Sequence, residues 1–345
     1  MKLSIPPTPF VTLMAVACLS TVPAAAHAAE PLPYTGVNLA GGEFYTPKPG
    51  VTPIYGTNFE YPNAREFDYF VGKGMNLIRL QFLWETLQPE AHKPFRSAEI
   101  ARLRDVVNLA TSKGLTVLID PHNYARYYGK VVGGPDVSNS DFADFWGSLA
   151  AEFKNNPKVW FGLVNEPHDM PTDQWLVAAN AAIAAIRKSG AKNKIAVPGN
   201  AWTGAHGWME NWYGTSNGVA MLKIQDPANN YIFEAHQYLD SDSSGTKTTI
   251  VSPTIGSERL KQFTEWCRVN HKKALLGEFA VPVLPEGKAA VDDMLTYMEK
   301  NRDVWVGFTW WAAGPRWGDY MFTIEPKNGA DRPQMDYLQP HLHGK

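Results

Sequence analysis

The sequence predicts a single-domain (β/α)₈ barrel, an α/β fold, and three observations carry that reading. Eight short apolar runs recur along the chain, at residues 36–41, 76–82, 116–123, 159–167, 194–200, 231–238, 274–280 and 304–314. Stretches with helical periodicity separate several of them, the alternation that a parallel barrel requires. The first run leads into Gly41-Gly42-Glu43-Phe44 and a proline-rich loop. A doubly wound open sheet would more often place a glycine-rich phosphate loop and a helix there.

Taken in order, each run has its own signature. The first reads Gly36-Val37-Asn38-Leu39, followed by residues 47–62, rich in Pro, Gly and Tyr. Ile54, Tyr55, Phe59 and Tyr61 make that stretch a barrel loop rather than an interdomain linker. The second run carries Arg79. Residues 97–113 then repeat Ile100, Leu103, Val107 and Ala110 at helical spacing and end at Gly114, a C-cap. The third run closes on Asp120-Pro121-His122-Asn123. The fourth, Val-Trp-Phe-Gly-Leu-Val-Asn-Glu-Pro, lacks polar alternation, which suits a strand buried on both faces. Pro167 cannot donate to a ladder and is expected to mark that strand's end. An alanine-rich helix over 173–189 follows, ending at Gly190. The sixth run ends His236-Gln237-Tyr238, and the small polar residues of 240–254 predict a mobile loop after it. The seventh closes on Gly277-Glu278-Phe279, with a helix over 288–300 behind it. The eighth reaches Trp310-Trp311 before Ala312-Ala313-Gly314.

The 345 residues are 44% hydrophobic and 19% charged, enough to bury the core of one such barrel. A net charge of −2 leaves no basic face for nucleic acid. Residues 1–28 read as a secretory signal: Lys2, an apolar centre over 10–19, and the small-x-small site Ala26-His27-Ala28. Residues 29–345 would then be one exported domain. No later stretch is apolar for long enough to span a membrane. Ala15-Val16-Ala17-Cys18 loosely resembles a lipoprotein processing site but lacks the usual leucine before the cysteine, so lipid anchoring is the lesser alternative. Without the signal only Cys267 is left, which excludes an internal disulfide and reads as a packing residue. The 12 tryptophans cluster near polar and glycine-rich stretches, and about half are expected to be core.

Parallel strands bring their carboxyl ends to one face. That face would gather Glu166 and Glu278 with Arg79, His122, Asn165, His236, Tyr238 and Trp311. Paired carboxylates suggest glycosidic cleavage, in which one group protonates the leaving oxygen while the other attacks the anomeric carbon or activates water. Strands four and seven face each other across a barrel mouth, so their glutamates can flank a sugar. One carboxyl must stay protonated and the other ionised. Arg79 and the Tyr238 hydroxyl suit the ionised one, and the residues alone leave open which glutamate that is.

The motifs Ile78-Arg79-Leu80, 120–126 (Asp-Pro-His-Asn-Tyr-Ala-Arg), Asn165-Glu166-Pro167, 198–206, His236-Gln237-Tyr238, Gly277-Glu278-Phe279 and Trp311-Ala312-Ala313-Gly314 together resemble glycoside hydrolase family 5. The likeness is greatest to its endo-β-1,4-glucanases (cellulases). They run in that family's order over nearly the whole chain beyond the signal. The resemblance implies Glu166 as general acid/base and Glu278 as nucleophile of a retaining enzyme. It implies that Arg79 and Tyr238 keep Glu278 ionised, that Asn165 binds the sugar 2-hydroxyl, that His122 and His236 line the same subsite, and that Trp311 stacks under the sugar. The loop tryptophans Trp84, Trp202 and Trp208 are candidates for further subsites. It implies no cofactor, a β-glucan polysaccharide as partner and a monomer. Mannan, xyloglucan and mixed-linkage glucan are alternative substrates. Two rival classes are a metal-dependent barrel hydrolase and a non-catalytic carbohydrate-binding barrel. The first strand lacks a His-x-His pair, against the former; both glutamates are kept, against the latter. Asn165 and Glu166 would point to opposite faces of a regular strand, so irregular backbone is predicted over 165–167.

Overall fold

The computed structural model describes residues 1, 3 and 30–344; apart from two residues the expected signal lies outside them, as does Cys18. Eight strands form a closed parallel barrel: β1 Tyr34–Gly42, β2 Leu77–Phe82, β3 Thr116–Pro121, β4 Val159–Gly162, β5 Ile195–Pro198, β6 Tyr231–His236, β7 Ala274–Glu278 and β8 Trp305–Ala313. Each pairs with its neighbours in sequence, and β8 returns to β1. Helices Ala64–Gly72, Ser97–Ser112, Asn139–Phe153, Thr172–Lys188, Ile255–Val269 and Pro285–Lys300 pack outside. Between β5 and β6 the chain makes no long helix, only the short helix Asn217–Ala220 and the 3₁₀ turn Met221–Lys223 amid looser turns.

Side chains two residues apart share a strand face, so the barrel interior is built in layers. Its floor is apolar: Leu77, Leu118, Trp160, Ala196, Ile232 and Leu275 form one buried cluster, with Tyr34 and Val306 packed on it. Two residues further along their strands stand Arg79, Asp120 and Glu234. The apolar floor therefore seals one end, and a charged layer rests directly on it. Gly277 makes room for that layer, because a Cβ there would meet Glu234 Oε1 at 2.2 Å.

The fourth strand is shorter than its apolar run. It ends at Gly162, not at Pro167, yet the next residues stay tied to both neighbours: Leu163 N–H donates to Ala196 O at 3.1 Å and Asn165 N–H to Pro121 O at 3.0 Å. The pleat breaks because Glu166 takes φ +41°, as the alternation of Asn165 and Glu166 requires. The helix expected over 288–300 starts three residues earlier, on Pro285 at its first turn. In the loop 47–62, Phe59 and Tyr61 are buried, as a barrel loop requires. The loop 240–254 is held by Asp240, whose carboxylate accepts the backbone N–H groups of Gly245, Thr246 and Lys247. Cys267 is buried and free, its thiol pushed up by burial.

Candidate active site

Arg79 is the fixed point of the site. Entirely buried, its guanidinium meets three carboxylates: Nη2 lies 3.1 Å from Asp120 Oδ2, Nε 2.8 Å from Glu234 Oε1, and Nη1 3.0 Å from Glu278 Oε1. Nη1 also donates to Asn38 Oδ1 at 3.0 Å and Nη2 to Asn165 Oδ1 at 2.8 Å. Burial works against the charge, but the three carboxylates outweigh it and hold Arg79 protonated. Asn165 Nδ2 is buried without a hydrogen-bond partner among the described residues, which leaves a donor beside this cluster.

The two glutamates sit in different surroundings. Glu278, at the end of β7, accepts from Arg79 on one oxygen and from the Tyr238 hydroxyl, at 2.8 Å, on the other. Burial pushes the Tyr238 hydroxyl well up, so it keeps its hydrogen and donates. Glu166 is partly exposed and meets the imidazole of His236, with Nδ1 2.7 Å from Oε1. The other ring nitrogen of His236 lies 3.2 Å from Glu234 Oε1. Burial disfavours a charged ring here, yet Glu278, Glu166 and Glu234 push His236 up to about 10. At neutral pH an imidazolium therefore stands between the glutamates.

Glu166, His236 and Glu278 each offer an atom within 4.8 Å of the others, a triangle of metal-site size. A cation there would displace the Nδ1 proton that the two carboxylates stabilise, so the triangle suits proton chemistry better. His122 turns Nδ1 to Asp120 Oδ2 at 2.9 Å and lies flat against Trp311, ring centroids 5.5 Å apart.

The eight expected residues thus converge at the carboxyl-end mouth, where the cleft has two lobes meeting at Tyr124. One, about 420 Å³, is lined by Glu43, His122, Arg126, Trp311 and Trp317. The other, about 540 Å³, is lined by Glu166, Trp202, His206, Trp212, His236 and Tyr238. Trp202 is 43% exposed and faces this second lobe, but Trp84 and Trp208 are corrections. Trp84 is packed among Tyr127, Phe142 and Phe145, and Trp208 among Phe233, Phe263 and Trp266, so both are core. Sequence reasoning passed over Glu234 as a site residue, although its two-residue offset from His236 puts both on one strand face. It also missed Asn38, Trp212 and Trp317.

A closed parallel barrel that brings two glutamates within 4.8 Å of each other at its mouth is the constellation of a glycosidase. The cellulase model (glycosyl hydrolase family 5) matches residues 35–314, and the chain belongs to this family. Endo-beta-1,4-glucanase B of Aspergillus niger is 43% identical over 309 residues, 89% of each chain. Among solved structures, XacCel5A in complex with cellopentaose is 49% identical, with TM-score 0.87 over 90% of this chain and 99% of that one. The Pseudomonas stutzeri endoglucanase Cel5A, in complex with cellobiose, is 36% identical with TM-score 0.82, covering 92% and 96%. The chain is a glycoside hydrolase.

Proposed function

We propose that the protein is a secreted, retaining endo-β-1,4-glucanase that cuts internal bonds of cellulose-like glucans by double displacement, residues 29–345 forming the catalytic domain behind a signal at 1–28. The observation that carries this reading is the asymmetric glutamate pair. An oxygen of Glu166 and one of Glu278 lie within 4.8 Å of each other, close to the roughly 5–5.5 Å carboxyl separation of retaining enzymes. Glu278, with the Arg79 guanidinium on one oxygen and the Tyr238 hydroxyl on the other, is the nucleophile; Glu166, partly exposed and met only by the imidazole of His236, protonates the leaving oxygen and later activates water. Arg79 and Tyr238 keep Glu278 charged, and the free Nδ2 of Asn165 serves the sugar 2-hydroxyl. His122 and His236 line the cleaved-sugar subsite and Trp311 stacks beneath it. A cleft of two lobes that meet at Tyr124, one of them lined by Glu166, suits internal cleavage of a polymer, and relatives named for β-1,4-glucanase activity favour cellulose-like chains. All eight side chains come from one chain, so a monomer suffices. No helix among the described residues is long and apolar enough to cross a membrane.

Glu278→Gln is expected to abolish turnover while leaving oligosaccharide binding by calorimetry nearly intact; wild-type-like turnover would remove the nucleophile assignment. NMR of the first product should show the β-anomer, since inversion would give the α-anomer. Rates on soluble cellulose, mannan, xyloglucan and mixed-linkage glucan side by side test the substrate. A rate lost to a chelator and restored by a divalent cation would favour a metallohydrolase instead.

A further inference from the structure

We propose that His168 is a positioning residue that ties the sugar-stacking face of Trp202 to the orientation of Glu166, an inference that rests on reading Glu166 as the acid/base. Glu166 holds φ +41°, a left-handed backbone that a residue with a side chain keeps only where neighbours fix it. The fixing group is visible. His168 Nδ1 lies 2.9 Å from the Glu166 carbonyl oxygen, and because a carbonyl only accepts, that nitrogen carries a hydrogen and donates.

The same imidazole is the backing of Trp202. The two rings are nearly parallel, 7° between planes, with centroids 4.6 Å apart. Trp202 returns the contact through its own backbone, donating its N–H to Pro167 O at 3.0 Å. Tyr124, which lines both lobes, packs edge-on against His168 at 5.4 Å, and Arg126 donates to the His168 carbonyl at 3.1 Å. The segment 166–168 is therefore clasped at each of its carbonyls, and two of the groups in the clasp, Tyr124 and Trp202, face the sugar cleft. A sugar settling on Trp202 bears on the imidazole stacked behind it, whose Nδ1 edge anchors Glu166.

In the step concerned, the glycosidic C1–O bond breaks, Glu278 bonds to C1, and the Glu166 proton passes to the departing oxygen. A misaimed Glu166 slows that step only when the leaving group needs the proton, and this separates positioning from a general loss of structure. His168→Phe keeps a flat ring against Trp202 but removes the donor. His168→Asn keeps a donor near the Nδ1 position but removes the ring.

The experiment measures kcat/KM on aryl β-cellobiosides, from phenyl to dinitrophenyl, and KM on cellohexaose, with thermal unfolding of each variant and Glu166→Ala as reference. His168→Phe is expected to lose roughly tenfold to a hundredfold on the phenyl glycoside and almost nothing on the dinitrophenyl one. His168→Asn is expected to recover most of the phenyl rate yet raise KM for cellohexaose several-fold. Equal losses across the aryl series, or no loss in His168→Phe, would overturn the proposal. A series that is flat for Glu166→Ala as well would remove the acid/base reading, and the proposal with it; a steep series there beside a flat one in His168→Phe would remove the proposal alone.

Discussion

Glu234 touches neither lobe of the cleft, yet it bridges Arg79 and His236, the two basic side chains that meet the glutamate pair. Burial opposes its charge, but Arg79 and His236 outweigh burial and hold the carboxyl below its ordinary value of 4.5. A carboxyl lowered in this way stabilises the fold above its ordinary value, and the contribution is lost as the pH falls through the folded value. Glu234→Gln is therefore expected to lower the unfolding free energy by about 3 kcal/mol at neutral pH, the low end for breaking a buried pair because Asp120 and Glu278 remain on Arg79. Urea unfolding should show the gap from wild type narrowing below pH 4.5; a gap independent of pH would mean that packing, not charge, explains it. The tryptophans offer a second test at this scale. Trp208→Ala should destabilise by about 3–5 kcal/mol with KM unchanged, whereas Trp202→Ala should raise KM and leave the melting temperature nearly untouched. Seven of the eight site residues were legible because each lies at the end of an apolar run, and parallel strands bring such ends together; Arg79, inside its run, was legible through the motif Ile78-Arg79-Leu80. Glu234 was not, since it stands inside its run. Nor was the fate of Trp84 and Trp208 legible, because exposure depends on partners such as Phe142 and Trp266, tens of residues away.

Whole elements show the same division. Helical periodicity placed the helices Ser97–Ser112 and Thr172–Lys188 to within a residue, because one buried stripe repeats along each. Strand ends were overrun, because apolar residues continue past the regular strand where the chain turns to aim its site residues, as at Leu163 and Val164. The segment after β8 carries a device that the sequence did not advertise. Glu325 Oε2 accepts the Gly314 N–H at 3.1 Å, and the Glu325 carbonyl accepts from Arg332. Burial, then the nearby Glu66, push this carboxyl up to about 7 from 4.5. Its neutral form suits the folded state, so the stabilisation is complete below pH 4.5 and fades as the pH rises through about 7. Glu325→Gln keeps an acceptor for Gly314 without the charge. The variant is expected to melt with wild type at pH 4 and above it at pH 8; a variant less stable at pH 8 would show that the ionised carboxylate is what the loop needs.

For the molecule as a whole, closure is what makes the site possible. Arg79 on β2 can meet Glu278 on β7 only because the sheet curls until β8 pairs with β1. β1 is thus a keystone: Gly36 and Val37 pair with Leu77 and Ile78 on one side and with Thr309 and Trp310 on the other, while Asn38 donates to Gly277 O and accepts from Arg79. The described residues just before β1 are lightly held by comparison. Glu30 pairs with Arg302 at 3.1 Å on the surface, and Leu32 is fully buried. A chain that begins at Glu30 keeps each of these contacts, and it is expected to match the full chain in melting temperature and in rate on soluble cellulose. A chain that begins at Asn38 loses Leu32, Val37 and the first half of both β1 ladders, which exposes two unpaired strand edges across the apolar floor. It is expected not to fold, with no cooperative melt by circular dichroism and no activity. Should the Glu30 chain melt several degrees below the full one, residues 1–29 would have a part in the folded molecule, and the signal assignment would fall.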